Sequence, residues 1–111
     1  MNIELEIKKQ ISDFSFEKCS RVEKLLIEWD IIHSRDNISL TLIYLDTYLI
    51  SIKFFGISRT KICNLWLNEL FIKDVSDYGW ENVKYYISDE GTDSVEFYCS
   101  DVELVSIEKW K

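Results

Sequence analysis

The chain has 111 residues, with 13 Lys and Arg against 20 Asp and Glu, which gives a formal net charge of −7. This length suits a single domain over residues 1–111 and is too short for two. Because phosphate backbones repel an acidic protein, the charge disfavours nucleic-acid binding and favours a basic protein partner. No apolar run approaches the roughly 18 residues of a membrane-spanning helix, so no membrane association is predicted.

Composition favours β-structure, and the cysteines favour a reducing compartment. Ala and Pro are absent, Gly occurs three times, and Ile, Val, Thr and aromatic residues are plentiful. The three cysteines, Cys19, Cys63 and Cys99, are odd in number and far apart, so we expect reduced thiols rather than a disulfide framework. The first residues do not have the pattern of a secretory signal. These features together predict a cytoplasmic protein.

Residues 24–55 carry the clearest strand pattern. Polar turns at Ser34–Asn37 and Asp46–Thr47 separate three alternating segments, the first running from Lys24 to His33. Loops this short join antiparallel strands, so the segments predict a meander. The residues predicted to share its inner face are Leu25, Ile27, Trp29, Ile31, Ile38, Leu40, Leu42, Tyr44, Tyr48, Ile50, Ile52 and Phe54.

The opposite face of this meander is also apolar at several positions. It includes Leu26, Ile43, Leu49 and Phe55. A contiguous apolar face of this kind is normally covered, so we expect a helix, a second sheet or another chain to lie against it. If a second copy of the chain covers this face, the protein forms a homodimer, which is therefore one of the predicted partners.

The C-terminal third also alternates. Apolar residues mark one face of two strands around a hairpin loop at Asp89–Asp93, and they include Val83, Tyr85, Ile87, Val95, Phe97 and Cys99. The phase breaks at Ser100-Asp101, which predicts a bulge or a strand that changes sheet. Val105 and Ile107 are then expected to share the inner face again.

The remaining segments allow more than one interpretation. Ile3, Leu5 and Ile7 fit a strand, whereas Ile3, Ile7 and Ile11 fit one face of a helix. Phe14 and Phe16 suggest a short strand, and Ser58–Lys61 resembles a turn. Leu65 with Leu67 suggests another short strand, and Leu70 with Ile72 a further one. The middle region also permits a helix, whose face would hold Ile62, Trp66 and Leu70.

The fold predicted from these patterns is mainly β. It is an antiparallel β-sandwich or strongly bent sheet of about seven or eight short strands. If the N-terminal segment is helical, the fold also contains one short helix.

No catalytic constellation is evident, so we expect no enzyme, no cofactor and no metal site. His33 is the only histidine and has no partner with which it could act as a base. Lys18 and Arg21 flank Cys19 and would lower its pKa, but no histidine lies near it in sequence. Acidic residues around Gly91, which include Asp89, Glu90 and Asp93, lack the alternating pattern of a calcium loop.

The strongest candidate for function is a loop near Gly79 that combines acidic and aromatic residues. Its members are Asp74, Asp77, Tyr78, Trp80 and Glu81. Trp and Tyr are enriched in binding hot spots, and carboxylates beside them suit Arg or Lys on a partner. The alternative is that Trp80 turns inward and anchors the loop, while the acids are merely solvated.

The order of motifs resembles a known group of proteins. Phe-Ser-Phe-Glu opens the pattern at residues 14–17, the Trp29 strand follows, F-F-G-I ends a strand at residues 54–57, and V-E-F-Y-C closes it at residues 95–99. This arrangement, over residues 13–108, resembles small immunity proteins encoded beside bacterial polymorphic or contact-dependent toxins. The resemblance implies an acidic cytoplasmic inhibitor that masks a toxin domain, and it identifies no interface residue.

The leading prediction is therefore a non-enzymatic acidic binding protein of the immunity type, directed against a basic bacterial toxin domain. One alternative is a small-ligand-binding β-domain, whose pocket would be lined by Trp29, Tyr44, Phe54 and Tyr85. Another is a homo-oligomeric structural module that uses the apolar outer face of the meander.

Overall fold

A computed structural model describes residues 3–91 and 94–110 of the chain. Within these residues it contains one short α-helix, two 3-10 helices and eight β-strands. The helix is α1 (Ile3–Lys8), the 3-10 helices span Phe16–Lys18 and Ser76–Tyr78, and the strands are β1 (Cys19–Asp30), β2 (Arg35–Tyr44), β3 (Tyr48–Phe55), β4 (Ser58–Ile62), β5 (Glu69–Asp74), β6 (Tyr85–Glu90), β7 (Val95–Cys99) and β8 (Asp101–Lys109). The prediction of a mainly β, antiparallel fold with about eight strands is confirmed.

The strands form two four-stranded antiparallel sheets. The first has the order β1-β2-β3-β8 and the second the order β4-β7-β6-β5. Strands β1 to β3 are the predicted meander, but β1 begins at Cys19 and ends at Asp30 rather than running from Lys24 to His33. Residues 31–34 form the turn instead, and Ser34 in this turn has a positive φ of 50°.

The inner faces of both sheets contribute to one hydrophobic core. Its buried strand residues include Ile38, Leu40, Leu42, Tyr44, Ile50, Ile52, Phe54, Ile87, Val95, Phe97 and Cys99. Alternation predicted these positions, because a strand with one buried face places every second side chain in the core. It failed for Ile27, Trp29 and Ile31, which are 55%, 60% and 81% exposed, because β1 is an edge strand and Ile31 lies in the turn that follows it. Ring contacts also cross between the sheets, and the centroids of Phe54 and Phe97 lie 5.1 Å apart.

The N-terminal segment closes part of this core as a helix. Ile3, Ile7 and Ile11 are buried, whereas Leu5 is 58% exposed, so the helical alternative is confirmed and the strand alternative is wrong. Phe14 and Phe16 are both buried, with ring centroids 4.8 Å apart, but they do not form the predicted strand. A 3-10 turn that begins at Phe16 lets both aromatic rings enter the core.

The middle of the chain differs most from expectation. Ser58–Lys61, predicted as a turn, belongs to β4, which pairs with β7 through an irregular register and has a positive φ of 52° at Arg59. The predicted strand at Leu65 and Leu67 is reduced to one isolated bridge between Arg21 and Trp66, and the helical alternative is wrong. Leu70 and Ile72 do lie in a strand, β5.

The chain changes sheet twice at one corner, first between β3 and β4 and then back between β7 and β8. The second crossing is the predicted phase break at Ser100, so the expectation that the strand changes sheet is confirmed. The crossings contact each other, because the Ser100 N–H and Oγ both donate to the Phe55 carbonyl, at 2.8 and 3.0 Å. Val105, which we expected to face inward, is 58% exposed, since a register shift opposite Ser51 and Ile52 changes the phase of β8.

The outer face of the first sheet is covered only in part. Ile43 is 1% exposed and Leu49 and Phe55 are half-buried, as predicted, whereas Leu26 is 53% exposed. The guanidinium of Arg35 covers Phe55 at 4.9 Å from the ring centroid. Leu26 lacks such a neighbour because it lies on the edge strand β1.

The contact at the corner predicts different effects for alanine at two glycines. Gly56 and Gly79 both have a positive φ, of 66° and 73°, so alanine at either is strained by about 1–2 kcal/mol. A methyl group at Gly56 would also overlap the Ser100 side chain, whereas at Gly79 it would meet no atom within 4 Å. We expect Gly56→Ala to lower the free energy of unfolding clearly more than Gly79→Ala in urea denaturation. Equal losses would show that the corner tolerates the methyl group.

Candidate functional site

The five predicted site residues lie close together on the segment that connects β5 to β6. Asp74 ends β5, Asp77 and Tyr78 lie in the 3-10 helix, and Trp80 and Glu81 follow Gly79. All five are exposed, including Tyr78 at 51% and Trp80 at 42%. Trp80 thus lies outside the core, so the alternative in which it turns inward and anchors the loop is wrong.

Backbone hydrogen bonds hold this connecting segment in place. Val75 is buried and its N–H donates to the Lys84 carbonyl at 2.8 Å, while the Lys84 N–H donates to the Cys99 carbonyl at 2.9 Å. Asp74 accepts hydrogen bonds from the Ser76 Oγ and N–H, at 2.6 and 2.9 Å, and these bonds lower the pKa of its carboxyl. The segment is therefore tied to β7 while its aromatic side chains point outward.

Two of the predicted residues belong to a longer row of aromatic rings. Successive ring centroids are 5.4 Å apart from Tyr78 to Trp80, 5.4 Å from Trp80 to Tyr98, 4.7 Å from Tyr98 to Tyr86 and 5.8 Å from Tyr86 to Phe71. We call these five residues the aromatic row. It crosses β7, β6 and β5 on the outer face of the second sheet.

The positions of these rings follow from strand alternation and register. Ile87 and Phe97 point into the core, so their neighbours Tyr86 and Tyr98 point outward. Tyr86 pairs directly with Tyr98 across β6 and β7, which brings the two rings together. Sequence analysis missed Phe71, Tyr86 and Tyr98, although the alternation that placed Ile87 and Phe97 in the core already implied outward aromatic positions beside them.

Cations of the same chain already lie against the row. The Arg59 guanidinium is 5.0 Å from the Trp80 centroid and 5.6 Å from that of Tyr98. Lys73 Nζ donates to the Tyr78 hydroxyl at 3.0 Å, and this bond raises the pKa of the lysine. The face therefore presents π surfaces in a geometry that attracts cations.

The structure places His33 beside Asp30 and two of the three cysteines in the core. His33 is exposed, and its Nδ1 is 2.8 Å from the Asp30 carboxylate, whose pKa this hydrogen bond lowers. Cys19 and Cys99 are buried, and burial raises the pKa of each thiol to about 12. The expectation that flanking cations lower the pKa of Cys19 is therefore wrong, because desolvation dominates.

The acidic hairpin near Gly91 is structural where it is described. Asp89 is 1% exposed and its carboxylate accepts the Asn68 N–H at 2.9 Å, whereas Glu90 is exposed. Asp93 lies outside the described residues. Over residues 3–91 and 94–110, no group of three or more His, Cys, Asp or Glu side chains is placed to hold a metal ion.

The four residues proposed for a ligand pocket do not face one cavity. Tyr44 and Phe54 are fully buried in the core, Tyr85 is half-buried, and Trp29 is 60% exposed. Trp29 instead borders an open concavity of about 640 Å³ at the β1–β2 turn, with Phe55 on its wall.

No protein-family model, curated protein or solved structure matches this chain. In the described part of the chain, no helix has both the length and the apolar character needed to cross a bilayer.

Thiol labelling tests the placement of the cysteines. Cys63 is exposed, whereas Cys19 and Cys99 are buried with raised pKa values. We expect a thiol reagent at pH 8 to modify one cysteine rapidly in the native protein and all three after denaturation, because the thiolate is the reactive form. Mass spectrometry identifies the sites, and rapid native modification of Cys99 would contradict the assignment of β7 to the core.

Proposed function

We propose that this protein is a non-enzymatic binding protein, an immunity-type inhibitor that masks a basic bacterial toxin domain in the cytoplasm. The observation that supports the proposal is the aromatic row with carboxylates beside it. The row offers five contiguous rings, two on the β5–β6 connection and three on the adjoining sheet face, and Asp74, Asp77 and Glu81 are exposed on the segment that carries Trp80.

The rings are suited to form the centre of an interface. Tyr and Trp provide large contact area with few rotatable bonds, so little conformational entropy is lost when a partner covers them. Here the contacts among Trp80, Tyr98 and Tyr86 already restrict the rings before binding. A partner would therefore meet a preorganised surface rather than a flexible loop.

The charges favour a basic partner. The chain has a net charge of −7, and Asp77 and Glu81 stand next to the most exposed rings. Arg59 and Lys73 lie on the same rings in the free protein. An arginine or lysine of the partner would take up the same kind of ring contact, while the carboxylates attract it from a distance.

Charge reversal on the loop tests the electrostatic part of this proposal. The binding partner is first captured from the native host with the chain as bait and then purified, and the adjacent toxin gene product is the expected protein. We expect the double variant Asp77→Lys, Glu81→Lys to slow association about tenfold or more at low salt, because steering by opposite charge is lost. Surface plasmon resonance across a salt series measures the rates.

The double variant Glu103→Lys, Glu108→Lys is the matched control, since both residues are exposed on β8 of the first sheet. It makes the same change in net charge away from the row. Equal slowing by both variants would mean that only the overall charge matters, and the loop would be excluded from the interface.

Removal of one ring tests the aromatic part. We expect Trp80→Ala to weaken partner binding by about 2 kcal/mol or more, mainly through faster dissociation, because it removes the exposed ring that joins the loop to the sheet. Trp66→Ala is the control, since Trp66 is also exposed, at 66%, and lies outside the row. Unchanged dissociation for Trp80→Ala would refute the row as the binding surface, and circular dichroism confirms that both variants fold.

A further inference from the structure

Strand β1 leaves part of the first sheet open along its edge. Near its start, the Val22 N–H donates to the Leu65 carbonyl at 2.8 Å and the Ser20 carbonyl accepts the Leu67 N–H at 3.0 Å. From Lys24 to Asp30, β1 pairs with β2 on one side, and no other strand of the described residues pairs with it on the other. This seven-residue stretch is called the free edge below.

The free edge is more apolar than an isolated edge strand normally is. Leu26 is 53% exposed, Ile27 55% and Trp29 60%. Ile27 pairs with the buried Ile38, so it lies on the inner side of the sheet at a point that other elements leave more than half open. A regular, exposed and apolar edge tends to recruit another strand.

The other strand edges carry features that discourage pairing. On β8, at the opposite edge of the first sheet, a register shift interrupts the ladder and Glu103 and Glu108 are exposed. In the second sheet, β4 has the positive φ at Arg59, and the 3-10 helix at Phe16–Lys18 packs against β5. The free edge of β1 also carries two exposed charges, Lys24 and Glu28, but from Lys24 to Asp30 it has no register shift and no covering element among the described residues.

Symmetry restricts how two free edges can pair. In an antiparallel pair, directly opposed residues are both hydrogen-bonded or both not, so a two-fold axis must pass between one residue and its own copy. An axis at Lys24 or Glu28 would place identical charges against each other. An axis at Ile27, the midpoint, places Lys24 opposite Asp30 of the second copy and uses the whole free edge.

We propose that two copies of this chain associate through the free edge of β1, antiparallel and centred on Ile27. The two first sheets then form one continuous eight-stranded sheet. On its inner side, Ile27 meets its own copy and Leu25 faces Trp29 of the second copy. Lys24 makes an ion pair with Asp30 of the second copy at each end, while Leu26 lies opposite Glu28. The inner-side apolar residues and the two end charges therefore find complementary neighbours.

Asp30 is held at the strand end by contacts within its own chain. Its Oδ1 accepts the backbone N–H groups of Ile32 and His33, at 3.1 and 3.2 Å, and its Oδ2 lies 2.8 Å from His33 Nδ1 and 3.7 Å from Arg35 Nε. The hydrogen bonds from His33 lower the pKa of the carboxyl, so it keeps the negative charge that Lys24 of the second copy would meet. The dimer uses the edge of the first sheet, whereas the aromatic row lies on the outer face of the second. The two surfaces do not share a residue, so this inference does not depend on the proposed function.

The test is the oligomeric state of the purified full chain, measured by sedimentation equilibrium from low micromolar to several hundred micromolar. We expect a concentration-dependent dimer for the native chain and a monomer for Ile27→Lys, which would place two ammonium groups at the axis. Val105→Lys is the matched control, because Val105 is 58% exposed on the opposite edge strand. It should dimerise as the native chain does.

A charge variant keeps the test decisive if Ile27→Lys fails to fold. We expect Lys24→Glu to raise the dimer dissociation constant about tenfold or more, because it turns two attractions into two repulsions. Lys18→Glu makes the same charge change at an exposed site off the edge and should have little effect. A native chain that stays monomeric, a dimer that resists both β1 variants, or a dimer dissolved by Val105→Lys would overturn the proposal.

Discussion

The corner at which the chain changes sheet is the constraint on which the rest of the structure depends. Both crossings meet there, and the Phe55 carbonyl accepts two hydrogen bonds from Ser100, while the Ile57 N–H donates to the Asp36 carbonyl at 3.1 Å. These bonds pair backbone groups at a point where the chain leaves the ladders of both sheets. They also fix the two sheets against each other, so that Phe54 and Phe97 make contact across the core.

The candidate binding surface is a consequence of this buried arrangement. Strand β7 leads directly into the crossing, and its last residue, Cys99, also accepts the hydrogen bond from Lys84 that anchors the β5–β6 connection. The same strand presents Tyr98 outward, so the anchored loop brings Trp80 to within 5.4 Å of that ring. A loop with exposed aromatic residues thus acquires a defined position from backbone hydrogen bonds that link it to β7, together with the buried Val75 and the Asp74–Ser76 hydrogen bonds.

How much could be predicted from sequence depended on whether a strand has one clearly buried face. Strands β2, β3 and β7 do, and their alternation was interpreted correctly. Strand β4 has three exposed polar residues and no apolar alternation, so its pattern resembled a turn. The phase error at Val105 came from a bulge, which is set by pairing with β3 and leaves no local signature.

The candidate site shows the same division between local and non-local information. Tyr78 and Trp80 stood out because acidic and aromatic residues crowd one short loop. Phe71, Tyr86 and Tyr98 come from three strands, and only the register of β5, β6 and β7 brings their rings into one row. Composition therefore identified Tyr78 and Trp80 at one end of the aromatic row. The other three residues could be identified only from the pairing of the strands.

The net charge should act in opposite directions on the two surfaces. A charge of −7 attracts a basic partner to the aromatic row, but it repels a second copy that approaches the free edge. Added salt screens both long-range forces, so it should slow association with the partner and favour self-association. The Lys24 and Asp30 pairs act over short distances in a partly desolvated contact, where screening is weaker, and they would not reverse this trend. The two proposed interactions can therefore be separated by ionic strength alone.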